Sequence, residues 1–414
     1  MWITRRLGLP SDIPKPLQFA ALFYLAHLLC QGWIASSESF LALAVLSAGF
    51  GVWRGELKIP YHPLYLPLAL FLVGSFLSAW TAPHPLRETF RVGEWFTFLT
   101  FPLALSLYVA IPQFRRVVFR TFFVLTLFLS LYGELQYFVL GYHGLEKRIT
   151  GPTAHVMTFS GILLPLTLLL LVHFIYRRRP WSAAAAAIGG LALVLTFTRG
   201  AWLGWAAGFG ILLILRWRKW LFYLAPVVIV AVTFSPLPFF GRLISVFDTR
   251  QYSNLDRIRM AQAGIEMIRD HPLFGVGPSN VKEVYPLYRK PDAPRFRVPH
   301  LHDNVIQIWA ERGIVALAGY LALVAMFLSI CWKGRTGPPS SQWVADAGLA
   351  FAIALFVAGF FEFNFGDTEV MLNMLDLFAF AIVGMGFQGS EILLRRDGPE
   401  EARIESANPL FSVL

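Results

Sequence analysis

The sequence predicts an all-α, polytopic membrane protein with about twelve transmembrane helices, and three observations predict it. Of its 414 residues 56% are hydrophobic and only 14% charged, with a mean hydropathy of +0.58, which excludes an ordinary soluble globule. The apolar residues fall into successive runs near the ~20 residues needed to cross a bilayer. Lys and Arg then alternate from gap to gap. They gather at Arg5, Arg6 and Lys15; Arg54 and Lys58; Arg115, Arg116 and Arg120; Arg177, Arg178 and Arg179; Arg216, Arg218 and Lys219; Lys333 and Arg335; and Arg395, Arg396 and Arg403. The intervening short gaps hold little beyond Arg87, Arg91, Lys147, Arg148 and Arg199. That alternation makes the first set cytoplasmic and puts both termini on that side. Lipid leaves no partner for an open backbone, and the length and uniform apolarity of the runs exclude barrel strands.

The runs are 17–35, 40–53, 64–80, 90–110, 117–140, 155–176, 181–197, 201–215, 221–237, 314–332, 343–361 and 370–387. The first follows basic residues as a signal peptide does, but its apolar stretch is too long, so it reads as an uncleaved helix. Ala183 to Ala187 makes a close-packing helix face. Gly337-Pro338-Pro339-Ser340-Ser341 is a cytoplasmic turn. Cys30 and Cys331 read as structural thiols, with no disulfide framework. Glu94, Glu134 and Asp376 fall in or near the runs, where structural hydrogen bonding is the default. The chain thus divides into helices 1–9 (1–238), a long polar loop (239–302), helices 10–12 (303–388) and a cytoplasmic tail (389–414).

The long loop is basic although it lies on the side that the other loops keep nearly free of cations. It carries Arg242, Arg250, Arg257, Arg259, Arg269, Lys282, Arg289, Lys290, Arg295 and Arg297. A long translocated loop escapes the orientation bias, so these cations call for an anionic, lipid-linked substrate. The net charge of +10 does not point to nucleic acid, because topology accounts for the cytoplasmic cations. Within the loop, Ser253 and Asp256 form a capping-box-like start, and Ile258, Ala261, Ile265 and Ile268 share one helical face. His271-Pro272 ends that helix, Gly275-Val276-Gly277-Pro278 turns the chain, and 285–299 reads as a lid-like connection. Asp303 then caps a helix running into the tenth span.

The sharpest local pattern is Pro299-His300-Leu301-His302-Asp303-Asn304-Val305-Ile306-Gln307-Ile308-Trp309-Ala310-Glu311-Arg312-Gly313. It resembles the signature of the O-antigen ligase and polymerase family, in which His, then Asn, Gln and Glu-x-Gly open a transmembrane helix. Arg148-Ile149-Thr150-Gly151, Thr196-Phe197-Thr198-Arg199-Gly200-Ala201, and Arg257 followed by Asp270-His271-Pro272-Leu273-Phe274-Gly275-Val276-Gly277 extend the resemblance over 148–313. The resemblance implies a GT-C-like membrane glycosyltransferase of the bacterial inner membrane, with its site facing the periplasm. Such an enzyme moves a glycan from undecaprenyl pyrophosphate to an acceptor. It implies His302 as the catalytic base, Arg199 and Arg257 as pyrophosphate ligands, and Arg148 as a third cation. His300 and Asn304 join these as substrate-binding candidates, His300 also being the reserve base. Asp303 stands where Asn directly follows the His in the family.

These residue types suit the chemistry. Negative charge builds on the leaving phosphate, which permanently charged, bidentate guanidinium groups stabilise. The acceptor hydroxyl must lose a proton, and an imidazole takes it near neutral pH. The donor is already activated, so no cofactor is implied. Taken alone, His300 and His302 are interfacial histidines or a metal pair, but no Cys is near and no carboxylate stands at a recognisable ligand spacing, so no metal is assigned. Arg199 alone is an interfacial cation, Arg257 a partner for Glu266 or Asp270, and Glu311 a partner for Arg312 or Arg257. Arg289, Lys290, Arg295 and Arg297 read as a solvated or lipid-facing rim. The leading function is an O-antigen ligase with lipid A-core as acceptor. The rival is a polysaccharide polymerase using a second lipid-linked glycan. A lipid-linked oligosaccharide transporter is the alternative of another class.

Overall fold

The computed structural model describes residues 13–92, 94–216 and 251–387. Among these, fifteen α-helices and one 3-10 turn make up the regular structure, and no strand occurs. The helices are α1 (Lys15–Leu29), α2 (Ile34–Trp53), α3 (Tyr65–Thr81), α4 (Pro85–Arg91), α5 (Glu94–Thr97), α6 (Thr100–Ala110), α7 (Phe114–Phe138), α8 (Val156–Arg177), α9 (Pro180–Leu195), α10 (Arg199–Arg216), α11 (Tyr252–Asp270), α12 (Val281–Tyr288), α13 (Asn304–Gly334), α14 (Pro339–Ala358) and α15 (Thr368–Gly384), with the 3-10 turn at Asn364–Gly366. Five of them, α2, α7, α8, α13 and α14, are long and apolar enough to cross a membrane, and α3, α6 and α9 are shorter apolar helices. This is a multi-pass membrane protein. The run at 221–237, the first part of the long loop and the tail lie outside the described residues, as does the side chain of Glu94.

One apolar run is not one helix. The stretch 90–110 is divided into α4, α5 and α6. Pro102 has no N–H to give to the carbonyl of Phe98 and sits in the first turn of α6, where that donor is not needed.

α8 and α14 form the enclosed centre, and their neighbours approach through small residues. Gly204 and Gly208 of α10 face the Ala350 and Ala354 carbonyls of α14, and Gly74 of α3 faces the Ala316 backbone of α13. The end of the bundle where α8, α10 and α13 finish is clamped by Asp346 of α14. Its carboxylate meets Arg216 and Arg335, each at 2.8 Å, and the Tyr176 hydroxyl at 2.5 Å. Asp376 accepts from Tyr24 at 2.6 Å and Gln31 at 2.7 Å, with His27 at 3.3 Å, tying α1 to α15. Cys30 and Cys331 are free thiols.

At the opposite end, a second small core joins α11, α12 and the start of α13 through Met260, Met267, Val281, Tyr285 and Leu301. It corrects two expectations. The buried face of α11 is Met260, Ala263, Gly264 and Met267, while Ile258 and Ile265 point outward. Gln251, not Ser253, precedes the first turn, and no side chain caps it. α13 begins as expected, with the Asp303 carboxylate accepting from Ile306 N at 2.8 Å. It then breaks at Gly313 (φ 77°, ψ −178°), where a Cβ would collide with the Leu273 carbonyl.

Candidate active site

His302 sits in the left-handed region (φ 55°) immediately before the cap of α13. Three side chains of the same segment hold it there. Gln307 accepts from Leu301 N at 2.8 Å and passes its amide to Glu311, which in turn accepts from Ser279 N. Asp303 closes the first turn. Asn304 faces away from His302, into the protein. Its amide donates to Tyr320 at 3.0 Å and Asn364 at 2.6 Å, and its carbonyl accepts from Phe365 N at 3.1 Å. The backbone N–H of Asn304 reaches the Gly359 carbonyl at 2.7 Å. These bonds pin the segment after α14 against the start of α13 and so deliver Glu362.

Glu362 is what the sequence reading missed. One carboxylate oxygen lies 2.8 Å from Nδ1 of His302 and the other 3.4 Å from Nε2 of His300, and the two imidazole centres are 4.2 Å apart. Burial pushes Glu362 up, but the hydrogen bond from His302, together with the neighbouring His302 and His300 rings and the Arg257 guanidinium, outweighs it and holds the carboxyl below its ordinary value. Burial pulls His300 down to about 4, against the attraction of Glu362, so its ring is neutral at pH 7. The only hint in the sequence is a lone carboxylate at the end of an apolar run.

Arg257, on α11, adds its charge to this carboxylate. Burial lowers its pKa while Glu362 and Asp256 oppose that shift, and a guanidinium stays charged near neutrality. Its electrostatic partners are therefore Glu362 and Asp256, rather than Glu266 or Asp270. Arg199, at the first residue of α10 and only 6% exposed, binds the start of α11. It donates to Gln251 at 2.9 Å, Ser253 at 3.0 Å and Asn254 at 2.6 Å. Those polar side chains turn to Arg199 instead of capping their own helix. Arg199 and Arg257 are thus linked through one turn of α11, and Arg257 leads to Glu362 and His302. Arg148 stands half-buried on the separate connection between α7 and α8, next to Thr150 and Gly151, whose N–H groups are fixed by Gln136 at 3.0 and 2.8 Å.

Three of the rim cations are tied down within the protein, Arg295 to Asp256 at 2.9 Å, Lys290 to Glu266 at 3.6 Å and Arg289 to the Pro291 and Ala293 carbonyls, each at 3.3 Å. Glu311 takes Ser279 and Gln307 and, as expected, pairs with Arg312 at 3.9 Å, while the other guanidinium nitrogen of Arg312 donates to Ser75 at 3.0 Å. His300, His302 and Glu362 offer ligand atoms within 4.8 Å of one another, so the fold supplies the carboxylate that sequence spacing did not reveal. The contacts within that group are at hydrogen-bond distance, and the Arg257 charge on the same carboxylate opposes a dication. Arg199 also lines a cavity of about 720 Å³ whose other walls are apolar, among them Leu171, Phe174, Leu193, Trp202, Trp205 and Phe209.

No curated protein matches the chain. Residues 183–321 match the family model described as O-antigen ligase, a stretch that runs from α9 into α13, contains Arg199, Arg257, His300, His302 and Asn304, and stops short of Glu362. Over that stretch the chain is similar to an O-antigen ligase domain.

Proposed function

We propose that the protein is an O-antigen ligase, transferring a glycan from undecaprenyl pyrophosphate to a sugar hydroxyl of lipid A-core. The observation that carries this reading is the convergence just described, in which His302 on a strained backbone, the buried Arg199 and the half-buried Arg257, from three separate elements, are joined through α11 and Glu362. The apolar cavity headed by Arg199 supports it, because a lipid pyrophosphate needs a cation beside a hydrocarbon-lined space. In the transfer the acceptor oxygen attacks the anomeric carbon, its proton passes to His302, and the C1–O bond breaks toward the pyrophosphate. Arg199 and Arg257 neutralise the charge that develops there, with Arg148 as a further cation, and the scheme requires neither nucleotide nor metal. The alternation of basic gaps supports about twelve spans in the inner membrane, with both termini cytoplasmic and this site on the periplasmic side.

The test is transfer by the purified protein from an undecaprenyl-pyrophosphate-linked glycan to either lipid A-core or a second lipid-linked glycan. His302→Ala is expected to lower the rate by about 10²–10⁴, and Arg199→Ala or Arg257→Ala by about 10²–10³. Product formed only with the lipid-linked acceptor makes the protein a polymerase. Wild-type rates in His302→Ala overturn the mechanism.

A further inference from the structure

We propose that Glu362 and His300 are positioning residues that fix which nitrogen of His302 carries its proton, leaving Nε2 with the free lone pair for catalysis. The inference rests on the reading of His302 as the base, and it assigns roles to two residues that the reaction scheme does not itself require.

The argument is one of hydrogen-bond direction. An ionised carboxylate only accepts. The atoms of His302 and His300 nearest to it are Nδ1 at 2.8 Å and Nε2 at 3.4 Å, so each of those nitrogens carries a hydrogen. Neutral imidazole holds a single N–H, and the opposite nitrogen of each ring is then an acceptor. For His300 this is independently satisfied, because its Nδ1 lies 3.3 Å from the backbone N–H of His302, which can only donate. His300 therefore spans two groups, the carboxylate and the strained backbone of His302. The same reasoning leaves Nε2 of His302 as an acceptor.

Burial and the neighbouring charges are consistent with this arrangement. His300 is held neutral by burial, and Glu362 is held ionised despite its burial by His302, His300 and Arg257. When the acceptor oxygen bonds to the anomeric carbon, its proton moves to Nε2 of His302. The ring becomes an imidazolium whose Nδ1–H still points at Glu362, and the pyrophosphate leaves with the electron pair of the broken C1–O bond. Glu362 touches neither substrate. Its effect passes through the orientation, tautomer and charge of His302.

Two measurements on the full-length protein in nanodiscs test the proposal. In ¹⁵N-histidine-labelled protein the His302 signals, assigned by their loss in His302→Gln, are expected to show Nδ1 protonated and Nε2 bare at pH 7.5, and Glu362→Gln is expected to shift them toward a mixture of tautomers. In steady-state transfer from the lipid-linked glycan, Glu362→Gln is expected to lower kcat about a hundredfold or more with the donor KM changed less than about threefold. Glu362→Asp is expected to recover part of the loss, and His300→Gln, which keeps a donor for Glu362, more of the rate than His300→Phe. The idea fails if Glu362→Gln keeps the wild-type tautomer or kcat, or if kcat, KM and thermal stability all collapse together. It also fails if one equivalent of a tightly bound divalent metal copurifies with the wild type and is lost in Glu362→Gln. Full activity of His302→Ala sinks the assignment of His302 as base instead, and the tautomer measurement still decides what Glu362 does.

Discussion

At position 302 a non-glycine residue in the left-handed region costs on the order of 1–3 kcal/mol, and the surrounding clamps must outweigh that cost. Gln307 is the central one. Gln307→Ala strands the Leu301 N–H and one side of Glu311, and we expect a loss of about 1–3 kcal/mol in thermal unfolding together with a reduced kcat. His300 gives a pH signature. Its folded-state pKa of about 4 lies below the ordinary 6.5, so the unfolded chain binds the extra proton in that interval. Stability from this group is complete above about 6.5 and is lost as pH falls toward about 4. Melting temperature measured across that interval is expected to fall less steeply in His300→Phe than in the wild type. His302, Arg199 and Arg257 could be singled out in the sequence because each stands in a recognisable pattern. Glu362 could not, since sixty positions separate it from His302 and no spacing rule joins them. Asn304 was legible as a position but not as a part of the scaffold, because the groups it binds lie at 320 and 359–365.

Among the elements, α11 packs on α12 and α13, and its first turn is held by α10. Arg199 gathers Gln251, Ser253 and Asn254, and Lys cannot reproduce that fork with one ammonium. Arg199→Lys is expected to raise hydrogen exchange over 251–257 and to raise the donor KM; unchanged exchange contradicts the link between the two helices. The break in α13 is equally specific. Gly313 has a positive φ, and the Leu273–Phe274 backbone occupies the space of its missing side chain. Gly313→Ala is expected to cost about 1–3 kcal/mol or more by overpacking, read as a lower melting temperature. The hydrophobic pattern of α11 suggested a face that includes the exposed Ile258 and Ile265, because these match a helical period as well as the methionines do, while Ile268 of the same pattern packs against the core. The packing partners that choose between the faces, Val298, Leu301 and Ala310, come from other segments.

Among the described residues, the pairs between arginines and carboxylates lie at the two ends of the bundle. At the end opposite the candidate site, Asp346 is fully buried between Arg216 and Arg335. Asp346→Ala leaves two guanidinium groups facing each other without their shared anion, and we expect destabilisation of about 3 kcal/mol in detergent-solubilised protein, with the KM of the folded fraction unchanged. The sequence by itself determined that this chain is helical, that it enters the membrane repeatedly, and which cations stand outside the basic gaps. Each of these follows from local quantities, since a helix in lipid closes its own hydrogen bonds and hydropathy is summed along the chain. Only the tertiary structure decided that Arg199 seizes the start of α11, that Asn304 turns inward, and that Glu362 meets two histidines. Those are pairings between residues far apart in the chain, and a buried charge takes whichever partner the packing of helices brings within reach.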